Sequence, residues 1–249
     1  MSGVITENKF QVHYSQIDYF KRAKITTIVD FFNDMAVYQS EKLGIGLEYL
    51  NDNGFGWIIL KWDINIIKMP KYLDEIIVKT QPVGKRKIFA YRKFEITDIH
   101  GNLMVEAKSI WSLVNIKGLV PVKIPEQVSN KYNLKESNDI GNKIKDSSNF
   151  EDTSKSISIR IRYGDIDTNG HVNNEKYIAW IIESMSKEVI MQYNLKKLKI
   201  SYKKETKYGE NIQVLINEEI KDDRIICLHK IINEAQEVLT LAETQWERN

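Results

Sequence analysis

The sequence predicts an α+β protein made of two tandem copies of one unit, each a long helix wrapped by an antiparallel sheet. Three observations predict it. The chain repeats itself at long range, each repeat carries one amphipathic helical stretch, and a run of strand-like segments follows each helix. At 249 residues the chain is long enough for one large domain or two small ones.

The repeat comes first because it organises the rest. A shift of 149 residues lays Tyr14 on Tyr163, Ile17 on Ile166, Asp18 on Asp167 and Phe32 on Ile181. A shift of 135 lays Glu75 on Glu210, Ala107 on Ala242 and Trp111 on Trp246. The second copy is therefore shorter by 14 residues in its middle, with the order of elements preserved.

Each copy opens with a short strand and a polar turn. The first helix is expected over about Ile25–Leu43, because Ile28, Phe32, Met35, Ala36 and Leu43 recur at helical spacing. The second is expected over about Asn174–Tyr193, with Ile178, Ile181, Ile182, Met185 and Val189 on one face. Asn173 suits its N-cap and Glu175 its positive end. Segments rich in β-branched and aromatic residues then read as strands: 57–66, 76–80, 89–97 and 104–115 in the first copy. The second copy has 198–203, 212–218, 225–232 and 238–246. His100-Gly101-Asn102 reads as a hairpin turn, and Asn233-Glu234-Ala235-Gln236 takes its place in the second copy. The boundaries implied are 1–129 for the first unit and 156–249 for the second. Residues 130–155 between them are polar and aperiodic, and read as a linker.

Composition removes several function classes. With 36 basic against 34 acidic residues, the net charge of +2 argues against a dedicated nucleic-acid binder. The single cysteine, Cys227, permits no intrachain disulfide, and no Cys/His metal cluster is present. The N-terminal residues lack the apolar core of a secretory signal, and no apolar run reaches the length of a membrane span. Together these point to a soluble protein of a reducing cytoplasm. No Gly-x-Ser-x-Gly elbow and no phosphate-cradling glycine loop occur. Cys227 lies in an apolar run and reads as a buried strand residue; Trp57, Trp62 and Trp111 read as core.

The stretch 163–174 carries the chemistry. Asp167, Asn169 and His171 place a carboxylate, a carboxamide and an imidazole at alternate positions just before a helix. Such a set can orient, donate to and move a proton at a carbonyl. At the 149 shift, Asn169 and His171 fall on Phe20 and Arg22, so only the second copy keeps the polar set. His171 is the general acid/base candidate, since an imidazole exchanges protons near neutrality. His13, His100 and His229 lack a comparable neighbourhood and read as surface or satisfied core residues, with His13 and His229 on strands and His100 in a turn.

The run Asp167-x-Asn169-x-His171-Val172-Asn173-Asn174, followed by Lys176, Tyr177 and Trp180, resembles the motif of the acyl-acyl carrier protein thioesterases. The resemblance extends from about Phe10 to Trp246. It implies a double hotdog fold and hydrolysis of fatty acyl-acyl carrier protein to free fatty acid and holo-carrier, in fatty acid biosynthesis. It implies that Asn169 stabilises an oxyanion, that His171 moves protons, and that Asp167 either orients the site or attacks directly. It adds Glu205 as the carboxylate that holds His171. Many relatives carry a cysteine at the next position, where this chain has Thr206, so a thiolate nucleophile is not expected. The first copy would shape the acyl pocket. No cofactor and no metal are implied, and the phosphopantetheine arm arrives with the carrier. A homodimer is left open. Two alternatives stand beside this reading: a hotdog hydrolase acting on acyl-coenzyme A, and a non-catalytic hotdog acyl-binding protein.

Overall fold

The computed structural model describes residues 3–137, 155–167, 170–221 and 223–248. Of these, 3–61 and 66–137 form one compact unit, and 62–65 with 155–248 the other. Each unit combines one principal helical stretch with an antiparallel sheet, and the fold is the expected double hotdog. Among the described residues no helix is long and apolar enough to cross a membrane.

The first unit runs β1 (Thr6–Gln11), α1 (Ile25–Lys42), α2 (Leu47–Asp52), β2 (Phe55–Ile66), β3 (Glu75–Arg86), β4 (Phe89–Asp98), β5 (Leu103–Asn115), β6 (Val120–Pro121) and α3 (Glu126–Lys131). Its strand order is β1-β3-β4-β5-β2, with β6 on β5. The helix packs on β1 and β3, burying Ile28, Val29, Phe32 and Met35 completely. Strand β3 alternates buried and part-exposed residues along most of its length, the period-2 signature of a half-buried strand. The β4–β5 turn forms where expected. Gly101 sits at φ +86°, and the Asp98 carboxylate accepts the backbone N–H groups of His100 and Asn102, both at 2.9 Å.

The second unit runs β7 (Lys155–Arg160), α4 (Asn174–Glu183), α5 (Lys187–Gln192), β8 (Tyr193–Tyr202), β9 (Asn211–Lys221), β10 (Arg224–Asn233) and β11 (Val238–Arg248). Its strand order is β8-β11-β10-β9-β7. Asn173 caps α4 as expected, its side chain accepting from Glu175 N. Cys227 is buried, Trp62 is fully buried, and Trp57 and Trp111 pack on the first unit's core.

Five expectations need correction. The second helix is not continuous to Tyr193. It stops at Glu183, restarts at Lys187 and gives way to β8 at Tyr193. Two serines account for the break. The Ser184 hydroxyl donates back to Ile181 O at 2.7 Å, and Ser186 caps α5 by accepting from Val189 N. Strand β3 does not stop at Thr80. It continues through Pro82 and Gly84 because a bulge between them absorbs the residues that would end a regular strand. His13 is not on a strand; it precedes a short 3-10 turn at Tyr14–Gln16, its N–H bonded to Gln16 Oε1.

The proposed linker begins too early. Tyr132 and Leu134 are buried in the core cluster with Leu113 and Val128, and Ser137 N donates to Lys85 O. The remainder of that segment, 138–154, lies outside the described residues.

The repeat register also shifts by one residue. Thr6 pairs with Thr80 as Lys155 pairs with Ile216, so the offset in β3 is 136. Beyond the bulge, Arg86 pairs with Phe89 as Lys221 pairs with Arg224, and the offset is 135. The β9–β10 pairing has no such bulge. Glu75 therefore corresponds to Asn211, and Asp74 to Glu210. Upstream, Ile67 and Lys68 both donate to Met104 O, as Lys203 and Lys204 donate to Leu239 O. Glu205 consequently corresponds to Met69 rather than Pro70.

Candidate active site

His171 reaches its position through a closed turn. Residues Tyr163–Asp165 form one 3-10 turn, and the Asp165 carboxylate, 2% exposed, accepts Arg162 N at 2.8 Å. Ile166 and Val172 then pair across an antiparallel bridge. Inside it, Asp167 N donates to His171 O at 2.7 Å, and His171 N donates to the Asp167 carboxylate at 3.2 Å. Gly170, at φ +80°, supplies the left-handed residue that lets the chain reverse. Asn173 N bonds Asp165 O, so the turn runs directly into the cap of α4.

Glu205 comes from the loop after β8. Its Oε2 stands 3.2 Å from His171 Nε2, and both side chains are partly exposed, 44% and 26%. The structure thus brings together two of the four residues singled out from sequence. Asp167 lies on the same turn but contacts His171 through the backbone amide. Asn169 lies outside the described residues.

Aromatic side chains from α4 and β8 pack together. Tyr177, on the first turn of α4, is edge-on to Trp180 at 5.2 Å and to Tyr202 at 5.6 Å. Tyr202, at the end of β8, donates its hydroxyl to Asn174 O at 3.0 Å. Burial, and then the Glu205 charge, push the Tyr177 phenol above its ordinary value; burial does the same to Tyr202. Both phenols therefore remain protonated donors at neutral pH. Thr206, 1% exposed, donates its hydroxyl to Glu210 Oε2 at 2.6 Å.

Sequence reasoning placed Tyr177 in the motif but gave it no role. It missed Glu210, whose signal was hidden by the one-residue register error. Cys227 is no candidate thiolate, since burial pushes its thiol up to about 12. Among the described residues no group of three His, Cys, Asp or Glu side chains could hold a metal ion.

Comparison with known proteins agrees with the two-unit architecture. The acyl-ACP thioesterase N-terminal domain model matches residues 3–132, and the C-terminal domain model matches 148–248. An acyl-[acyl-carrier-protein] hydrolase of Cuphea viscosissima is 28% identical over 98% of this chain. The match covers 63% of that protein, so the chain spans somewhat under two thirds of this curated relative's length. A crystal structure from Lactobacillus plantarum, provisionally named an oleoyl thioesterase, superposes with a TM-score of 0.94 at 25% identity, covering 99% of this chain and 97% of that one. The 12:0-ACP thioesterase of Umbellularia californica shares the fold, with a TM-score of 0.87 at 16% identity over 98% and 94% of the two chains. With both family models matched in order along its two units, the chain belongs to the acyl-ACP thioesterase family.

Proposed function

We propose that the protein hydrolyses fatty acyl-acyl carrier protein to free fatty acid and holo-carrier, within fatty acid biosynthesis. The observation that carries this reading is the 3.2 Å contact between His171 Nε2 and Glu205 Oε2 beside the start of α4. When Nε2–H donates to the carboxylate, Nδ1 keeps the lone pair and can accept a proton. Water then loses a proton to Nδ1 as its oxygen bonds to the thioester carbon. The carbonyl electrons move onto oxygen, where Asn169 and backbone N–H groups stabilise the charge. Collapse breaks the C–S bond, and the leaving thiolate takes the proton back from the imidazolium. Glu205 holds the ring and steadies its charged form.

Asp167 fits the orienting role better than direct attack. Its carboxylate accepts the His171 amide as Asp18 accepts the Arg22 amide in the unit without the polar set. The first unit, with Phe20 and Arg22 in its turn, would govern acyl preference rather than bond cleavage. The single buried cysteine supports a reducing compartment such as the cytoplasm. Incubation with acyl carrier protein thioesters, with release of free thiol as the readout, tests the reading. Parallel assays with the same acyl groups on coenzyme A test the carrier. Release of thiol from coenzyme A but not from carrier protein would replace this reading with the coenzyme A alternative. Saturable binding without release from either would replace it with an acyl-binding protein.

A further inference from the structure

The loop that carries Glu205 has a counterpart in the first unit, and the two share a skeleton. There Asp74 corresponds to Glu210, Lys71 to Lys207 and Pro70 to Thr206. Each carboxylate accepts the backbone N–H three residues before it, Lys71 N at 2.9 Å and Lys207 N at 3.2 Å. Each acidic residue also fixes its loop to the strand-end segment through its carbonyl, which accepts Val12 N at 3.0 Å or Ile161 N at 2.9 Å. The first loop is also tied to its turn by backbone bonds, Ala23 N to Pro70 O at 2.7 Å and Tyr72 N to Lys21 O at 2.9 Å, whereas the second carries a side-chain bond of its own. Glu210, longer than Asp74 by one methylene, also accepts the Thr206 hydroxyl, which Pro70 cannot supply.

That extra bond starts from the residue next to Glu205 in the chain. A half-exposed carboxylate–imidazole contact contributes little on its own and cannot hold a loop in register. Alignment of such a pair to about half an ångström has to come from packed and hydrogen-bonded neighbours. Thr206 is that neighbour for Glu205. It is buried, and its hydroxyl is tied to Glu210. Where the second unit has His171, Tyr177, Glu205 and Thr206, the first has Arg22, Ile28, Met69 and Pro70. The bond from Thr206 to Glu210 thus occurs in the unit that has an imidazole to align.

We propose that Glu210 and Thr206 are positioning residues for the reaction, forming a latch that holds the Glu205 carboxylate against His171. The inference rests on the thioesterase reading of that pair. Two variants break the latch conservatively. Thr206→Val keeps the shape and removes the hydroxyl; Glu210→Asp recreates the shorter acid of the first unit. Each should lower kcat about 10- to 100-fold, the range for losing one hydrogen bond to a charged acceptor, with KM changed less than about threefold. Thr206→Ser, which keeps the hydroxyl, should restore turnover. In a Glu205→Ala background, Thr206→Val should cost nothing further, because its effect runs through Glu205.

These outcomes separate the two ideas. A severe Glu205→Ala with a silent Thr206→Val overturns the latch and leaves the thioesterase reading intact. A silent Glu205→Ala removes the role of the pair, and the latch with it. Full additivity of the two substitutions also overturns the latch, since it means a general effect on the fold. Crystal structures of Thr206→Val and the parent protein test the geometry without turnover. The Glu205 carboxylate should leave hydrogen-bond range of His171 Nε2, and a retained 3.2 Å contact would refute the proposal.

Discussion

The turns at Asp18–Arg22 and Asp167–His171 are the same object built twice. In each, an antiparallel bridge closes the mouth, Ile17 with Ala23 and Ile166 with Val172. In each, the aspartate N–H donates to the carbonyl four residues on at 2.7 Å, and its carboxylate accepts that residue's amide. The side chains then part. Arg22 folds back onto its own turn, pairing with Asp18 at 3.1 Å and lying 4.5 Å over the Phe20 ring. His171 reaches across to Glu205 on another loop. The carboxylate bracket is therefore scaffolding common to both units, and the difference in chemistry lies in what the bracketed residue can touch.

His171→Ala should break the comparison most severely. Turnover of acyl thioesters should fall by roughly two to four orders of magnitude, the range for a lost general acid/base, with an unchanged unfolding midpoint. Retained turnover in the folded variant would mean that the imidazole is only a turn residue.

The next effect contrasts Phe94 in β4 with its counterpart His229 in β10. His229 is 1% exposed, bonded to Thr244 Oγ1 at 2.9 Å and near Ser184 Oγ at 3.5 Å, and burial lowers it from 6.5 to about 3. Below pH 6.5 the unfolded chain takes up a proton that the folded one refuses until about pH 3. Its contribution to stability is therefore complete above pH 6.5 and is lost as pH falls from there towards 3, by an amount on the order of a few kcal/mol. His229→Phe should flatten this acid slope in denaturant titrations at successive pH values. An unchanged slope would place the titrating group elsewhere.

Asp18→Ala should cost about 1–3 kcal/mol of stability, because two part-buried amides, Phe20 N and Arg22 N, lose their shared charged acceptor, while thioester cleavage persists. Abolished cleavage in a folded Asp18→Ala protein would show that both turns serve the reaction. Arg22→Ala should do least. Its ion pair is partly exposed, 22% and 32%, and such pairs contribute about 0–1 kcal/mol. Acyl preference is where an effect is expected, measured as relative turnover across chain lengths. Complete loss of cleavage in a folded Arg22→Ala protein would overturn the proposed division of labour between the units.

Much of this was legible in the sequence because hydrophobic period and motif are local signals. Strand β4, helix α1 and the Asn173 cap follow directly from residue order. The contact of His171 with Glu205 could be anticipated only through family resemblance, since 33 residues of helix and strand separate them. What could not be read depended on competition between local and tertiary terms. Ser184 and Ser186 interrupt a helix whose apolar spacing continues past them. Pro82 and Gly84, normally strand punctuation, are absorbed into a bulge. Tyr132 and Leu134 sit in a polar stretch that gives no periodicity, yet they complete a core.

The bulge between Pro82 and Gly84 also sets a rule for protein engineering. Anyone transplanting the Glu205–Glu210 loop into the first unit, to build a second reaction centre, must graft it onto residues 69–74. A rigid shift of 135 would choose 70–75 instead. Each transplanted side chain would then enter one backbone position late, with the threonine at Lys71 and the acid at Glu75, the first residue of β3, instead of at Pro70 and Asp74. The acid would miss the loop position from which Asp74 brackets Lys71 N, and the chimera would fail for a reason that no inspection of its composition could reveal.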